Sequence, residues 1–103
     1  GDEVLRKLAK VLLDATRRID VVCRWGGEEF IVLLPTVDLQ NALVIADKLR
    51  VKIQESKIKE VGSVTASFGV VQIDKGLTLE EVVDRADRAL YLAKESGKNC
   101  VKS

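Results

Sequence analysis

The sequence predicts an α+β domain, a β-sheet with helices packed against one face. Three observations carry that prediction. Three stretches show apolar residues at helical spacing, two apolar runs flank the tight Gly26-Gly27-Glu28-Glu29 turn, and a β-branched run extends from Val64 to Ile73. Their order is α-β-β-α-β-α, with a short terminal strand near Asn99 to Val101. The simplest architecture for that order is a βαββαβ sheet lacking its first strand.

Each element has a local reason. Val4, Leu5, Leu8, Val11, Leu12, Ala15 and Ile19 recur at i, i+3, i+4 and i+7, which predicts an amphipathic helix over 2–18. Strands are expected over 20–25 and 28–34, and Pro35 ends the second because it has no backbone donor. Asp38 is the expected N-cap of a second helix, whose apolar stripe runs through Leu39, Ala42, Ile45, Ala46, Leu49 and Ile53. Glu55-Ser56-Lys57 opens a loop that closes near Gly62-Ser63, and the strand over 64–73 follows, interrupted by Gly69. Thr78 and Glu81 have the spacing of a capping box, and Leu79, Val82, Val83, Ala86, Ala89, Leu90 and Ala93 line the inner face of the last helix. Gly97 is placed to end it as the C′ residue.

Composition bounds the function. At 103 residues, with 47% hydrophobic and 32% charged residues, the chain can bury one core and is not a disordered segment. The net charge of +1 argues against binding a nucleic acid polymer by charge alone. The four aromatics, Trp25, Phe30, Phe68 and Tyr91, form no base-stacking cluster in any strand, which argues against an RNA-binding βαββαβ domain. No apolar run approaches the roughly 18–20 residues of a membrane span, so direct membrane contact is not expected of this segment. Histidine is absent, which excludes imidazole chemistry and histidine metal ligation. Cys23 and Cys100 are too few for a disulfide framework and are expected as buried thiols in a reducing cytosol. With no methionine and a start inside a helical pattern, the chain reads as a fragment of a longer protein.

The chemistry concentrates at the turn. Glycine permits close approach of a ligand to the backbone and can take positive φ. Two adjacent carboxylates, Glu28 and Glu29, repel each other unless a cation or a donor lies between them. The bland alternative is a solvated hairpin with ordinary surface glutamates.

This segment, Arg24-Trp25-Gly26-Gly27-Glu28-Glu29-Phe30, resembles the signature of the GGDEF family, the diguanylate cyclases, in its Gly-Gly-Glu-Glu-Phe form. The family condenses two GTP molecules into cyclic di-GMP and pyrophosphate. The resemblance implies the antiparallel, ferredoxin-like palm of nucleotidyl cyclases and a partial GGDEF domain over 1–103. It implies that Glu28 helps hold a divalent metal, magnesium or manganese, with Glu29 assisting in catalysis and Gly26 and Gly27 shaping the GTP site.

Three further stretches carry the resemblance along the chain. Arg17-Arg18-Ile19-Asp20, with five residues between Asp20 and Gly26, is similar to the family's Arg-x-x-Asp inhibitory site for cyclic di-GMP. There Arg17 would donate to phosphate and to the guanine edge, Asp20 would accept from guanine N1 and N2, and Lys48 would add a basic contact. The same residues read alternatively as cations at a helix C-terminus. Lys94 and Lys98, four residues apart in Ala93-Lys94-Glu95-Ser96-Gly97-Lys98-Asn99, fall on the two basic positions that hold the GTP triphosphate. Gly1-Asp2-Glu3-Val4-Leu5 matches the end of the guanine-contacting segment, with Asp2 accepting from the base and Leu5 lining its pocket; Asp2 reads equally as a helix N-cap.

The family pattern starts upstream, with a strand bearing a second metal-binding aspartate. The resemblance therefore implies little or no cyclase activity from the chain alone, and a sheet short of a central strand. That gap is expected to be repaired by rearrangement or by a homodimer that exchanges elements. A cytoplasmic cyclase working as a dimer is the leading expectation, and a non-catalytic cyclic di-GMP-binding module is the alternative.

Overall fold

A computed structural model of the chain describes residues 2–26, 29–58 and 62–103. The elements are α1 (Asp2–Ala15), β1 (Val21–Gly26), β2 (Glu29–Leu33), α2 (Leu39–Glu55), β3 (Lys57–Ile58), β4 (Gly62–Ser63), β5 (Phe68–Gly69), α3 (Leu79–Glu95) and β6 (Val101–Lys102). The α+β class and the element order follow the sequence pattern, and β3 and β4 are a short pair within what reads as a loop.

The strands are arranged as three two-stranded ladders. β1 pairs antiparallel with β2, β3 antiparallel with β4, and β5 parallel with β6. Among the described residues no ladder joins β2 to β5. Both strands nevertheless face one apolar centre. Leu12 of α1 meets Leu49 and Ile53 of α2, each 2–3% exposed, and Val22, Phe30, Ala66 and Phe68 pack onto that cluster. Covering a Leu or Ile in this way contributes about 1.5–3 kcal/mol per side chain, so the helix pair and the flanking strands are held by burial rather than by a continuous sheet.

Helix ends follow the side-chain chemistry. The Asn41 amide donates to Asp38 Oδ1 at 2.9 Å, capping α2 as expected. Thr78 and Glu81 complete a reciprocal capping box on α3. α1 is shorter than its apolar period predicts. The Thr16 hydroxyl donates to the Leu12 carbonyl at 2.8 Å, and the Arg17 amide donates to the Asp20 carboxylate at 2.7 Å. A side chain thus takes the amide that would have continued the helix. Ile19, expected on the α1 stripe, lies beyond the helix and is exposed, as is Leu79 at the start of α3.

The strand expected over 64–73 contracts to Phe68–Gly69. Its ladder is limited by its partner, with the Phe68 amide donating to the Cys100 carbonyl at 2.9 Å and that of Val70 to Lys102 at 2.8 Å. Gly69 lies flush on α3, where a Cβ would fall 2.6 Å from the Ala86 carbonyl oxygen and 2.9 Å from the Ala89 carbonyl carbon. Of the two thiols, Cys23 is exposed, contrary to expectation, because it points to the outward side of β1. Cys100 is half-buried and donates to the Ala93 carbonyl at 3.2 Å.

Candidate functional site

The hairpin carries the acidic turn. Arg24 pairs with Phe30 and Gly26 with Glu29, so Trp25 is the extra residue of a β-bulge one step before the turn. Gly26 does not adopt a positive φ, and a Cβ on it would meet nothing within 4 Å. Glycine therefore leaves open space there rather than relieving strain. Gly27 and Glu28 lie outside the described residues. Glu29 opens β2 and is exposed.

A carboxylate is the right donor for magnesium or manganese, both of which take oxygen ligands. Among the described residues, however, no group of three acidic or cysteine side chains could hold a metal ion. Glu29 alone does not complete a site.

The best-formed polar cluster is at the α1–β1 junction. Arg17 donates through Nε and Nη2 to Asp20 Oδ1 at 3.1 and 2.8 Å, while Nη2 also reaches the Pro35 carbonyl at 2.8 Å. Asp20 in turn accepts the Arg17 amide. The guanidinium beside it holds the Asp20 carboxyl below the usual carboxylate range, although its covered position opposes this; the same bond raises Arg17. The Asp20 side chain is 3% exposed and Arg17 is 47% exposed. Asp20 therefore faces Arg17 rather than solvent. Arg17 is left oriented, and its Nη1 has no hydrogen-bonding partner among the described residues. No basic residue lies in the last turn of α1, and Arg17 and Arg18 stand just past its end.

Lys94 lies in the last turn of α3, and Lys98 is past the helix end, beyond the C′ residue Gly97. Ser96 is the C-cap; the Gly97 amide donates to Lys94 and that of Lys98 to the Ala93 carbonyl at 3.1 Å, a Schellman closure. Lys98 adopts φ 62°. Lys94, Lys98 and Lys48 are all exposed, and among the described residues none of their ammonium groups has a hydrogen-bonding or ionic partner. Leu5 is half-buried on α1, and the contact expected of Asp2 rests on a side chain outside the described set.

One cluster has no counterpart in the sequence reading. Arg50 of α2 donates through Nη1 to Asn99 Oδ1 at 3.0 Å, bridging 49 positions of chain. The spacing of Asp47, Arg50 and Gln54 on one helix could have flagged a fixed guanidinium, but nothing local announces Asn99 as its partner.

Comparison with known proteins agrees with this fold. The family described as Diguanylate cyclase, GGDEF domain matches residues 1–100. Diguanylate cyclase DgcM of Escherichia coli is 43% identical over 101 residues, covering 98% of this chain and 25% of DgcM. Response regulator PleD of Caulobacter vibrioides is 43% identical over 107 residues, covering 98% of this chain and 24% of PleD. The chain thus spans about a quarter of the length of these relatives. Among solved structures, diguanylate cyclase SiaD of Pseudomonas aeruginosa, in complex with its activator SiaC, superposes with a TM-score of 0.86 at 37% identity over 98% of this chain and 40% of SiaD. The GGDEF domain of DgcB from Caulobacter crescentus, in complex with c-di-GMP, gives 0.86 at 27% identity over 99% of this chain and 63% of that one. The chain belongs to the GGDEF diguanylate cyclase family.

Proposed function

We propose that this chain forms the greater part of a diguanylate cyclase domain, which joins two GTP molecules into cyclic di-GMP with release of pyrophosphate. The observation that carries this reading is the Gly26-Gly27-Glu28-Glu29-Phe30 signature between two paired strands, within a family match over residues 1–100. Two such domains would face each other as a homodimer in the cytoplasm, each presenting one GTP. The 3′-hydroxyl of each nucleotide attacks the α-phosphate of the other, and the protein's part is to position the two. Lys94 and Lys98 neutralise the triphosphate, and Asp2 and Leu5 meet the guanine. Glu28, assisted by Glu29, would hold a magnesium or manganese ion, whose chemistry is to polarise phosphate and to acidify a bound hydroxyl.

Arg17, Asp20 and Lys48 form the product-inhibition site in this reading. The Nη1 edge of Arg17, without a partner among the described residues, supports it, because a guanidinium pinned on one side presents the other to phosphate at little further entropic cost. Asp20 acts chiefly by holding that arginine.

A second reading is a cyclic di-GMP-binding module without catalysis. The formed Arg17–Asp20 pair supports it, since that site needs none of the residues at the acidic turn. Calorimetric titration of cyclic di-GMP, with Arg17→Ala as control, tests the inhibitory site. Binding that vanishes in the variant supports the assignment, and affinity that survives overturns it. Little or no GTP turnover is expected from the chain alone. Clear conversion of GTP to cyclic di-GMP by the purified chain would rule out the binding-module reading.

A further inference from the structure

The three residues after α3 adopt an uncommon conformation. Gly97, Lys98 and Asn99 have φ of 110°, 62° and 47°. Glycine accepts this region freely and asparagine tolerates it, but for lysine it is sterically unfavourable. Something must therefore hold Lys98 where it is. On one side the Schellman bonds do so, through the Ala93 and Lys94 carbonyls. On the other side the hold is on Asn99. Its Oδ1 accepts from Arg50 at 3.0 Å, its Nδ2 donates to Gln54 Oε1 at 3.3 Å, and its amide donates to Ser67 Oγ at 3.1 Å.

Arg50 is itself fixed before it reaches Asn99. Its Nε donates to Asp47 Oδ1 at 2.8 Å and its Nη1 to Gln54 Oε1 at 3.2 Å, with the side chain only 19% exposed. One planar guanidinium therefore serves three acceptors from a single rotamer, which a lysine ammonium on a flexible stem cannot match. A surface arginine engaged only with Asp47 would be a weak ion pair. Its reach to Asn99 makes it a strut between α2 and the turn that carries Lys98.

We propose that Arg50 is a positioning residue for a polyphosphate site: acting through Asn99, it fixes the left-handed turn that sets the reach of Lys98. The inference rests on the proposed role of Lys94 and Lys98 in holding the triphosphate, and goes beyond it by naming what orders the second lysine. The ligand class is a polyphosphate chain, and Arg50 does not touch it.

The test is calorimetric titration of inorganic tripolyphosphate at low salt, well below each variant's melting temperature. The parent chain is compared with Lys98→Ala, Arg50→Lys, Asn99→Ala and the Arg50→Lys, Asn99→Ala double variant. Arg50→Lys keeps the charge, so general attraction for an anion is unchanged and only the fork is lost. Arg50→Lys and Asn99→Ala are each expected to weaken binding about three- to tenfold, the scale of one ordered hydrogen bond. The double variant should lose no more than Asn99→Ala alone, since the two act through one link. Additive losses overturn the proposal. So does an unchanged affinity in Arg50→Lys when Lys98→Ala is weakened, and in that case the lysine reading stands. Binding that is absent, or indifferent to Lys98→Ala, overturns the lysine reading and the strut together. Should Arg50→Lys fail to fold, Asn99→Ala decides alone: undiminished binding in it overturns the proposal.

Discussion

Asp20 grips Arg17 twice, capping its amide at 2.7 Å and accepting from its guanidinium at 2.8 Å. One carboxylate thereby ends α1 and fixes the arginine that follows it. Asp20→Asn keeps the shape but loses the charge-assisted bonds, so its melting temperature should fall by a few degrees. Cyclic di-GMP affinity should fall with it, because the guanidinium is freed. Thermal melting followed by circular dichroism checks the first effect and calorimetry the second.

The same pair sets a pH dependence. The folded-state pKa of Asp20 is depressed, chiefly by the hydrogen bond from Arg17. Its stabilisation is present in full above the unfolded carboxylate value of about 4, and is lost as pH falls through the lower folded value. Glu81, lowered by the Thr78 amide, acts with the same sign. The melting-temperature gap between the parent and Asp20→Asn should therefore be constant near neutrality and close below about pH 4. A gap that persists into strong acid would show that the pair contributes nothing through its charge.

Gly69→Ala should be costly. The added methyl would meet the backbone of α3 at Ala86 and Ala89, and backbone cannot yield as a flexible side chain can. The expected loss is about 1–3 kcal/mol, read as a lower denaturant midpoint. Gly26→Ala, where a Cβ would meet nothing, serves as the neutral control for stability.

Thr78→Ala removes the hydroxyl that accepts from the Glu81 amide at 3.1 Å. It should cost about 1 kcal/mol and fray the start of α3. Faster amide hydrogen exchange confined to the first turn of α3 is the expected signature.

Helices were the legible part of this chain, since a buried stripe and a polar cap are both local. Asp38, Thr78 and Gly97 end their helices as their chemistry dictates. The hairpin was legible for the same reason, with apolar runs on either side of one turn. The extent of the strand at 64–73 was not. β-Branched residues favour an extended backbone, but ladder length is set by a partner, here the two-residue β6. In the candidate site, motif spacing named Arg17, Asp20, Lys94 and Lys98, and Gly97 as the C′ residue already put Lys98 past the helix end, yet spacing could not say that Asp20 turns inward. That depends on hydrogen bonds that form only once the chain has folded. The Arg50–Asn99 bridge was invisible because its two ends are 49 positions apart.

The bulge residue Trp25 is the single tryptophan of the chain, and it is 51% exposed one position from Gly26. Tyr91, the single tyrosine, is 63% exposed on α3. No strong ultraviolet emitter therefore sits among Leu12, Leu49 and Ile53. Intrinsic fluorescence of this protein reports from the rim beside Gly26 rather than from the packing of the apolar centre.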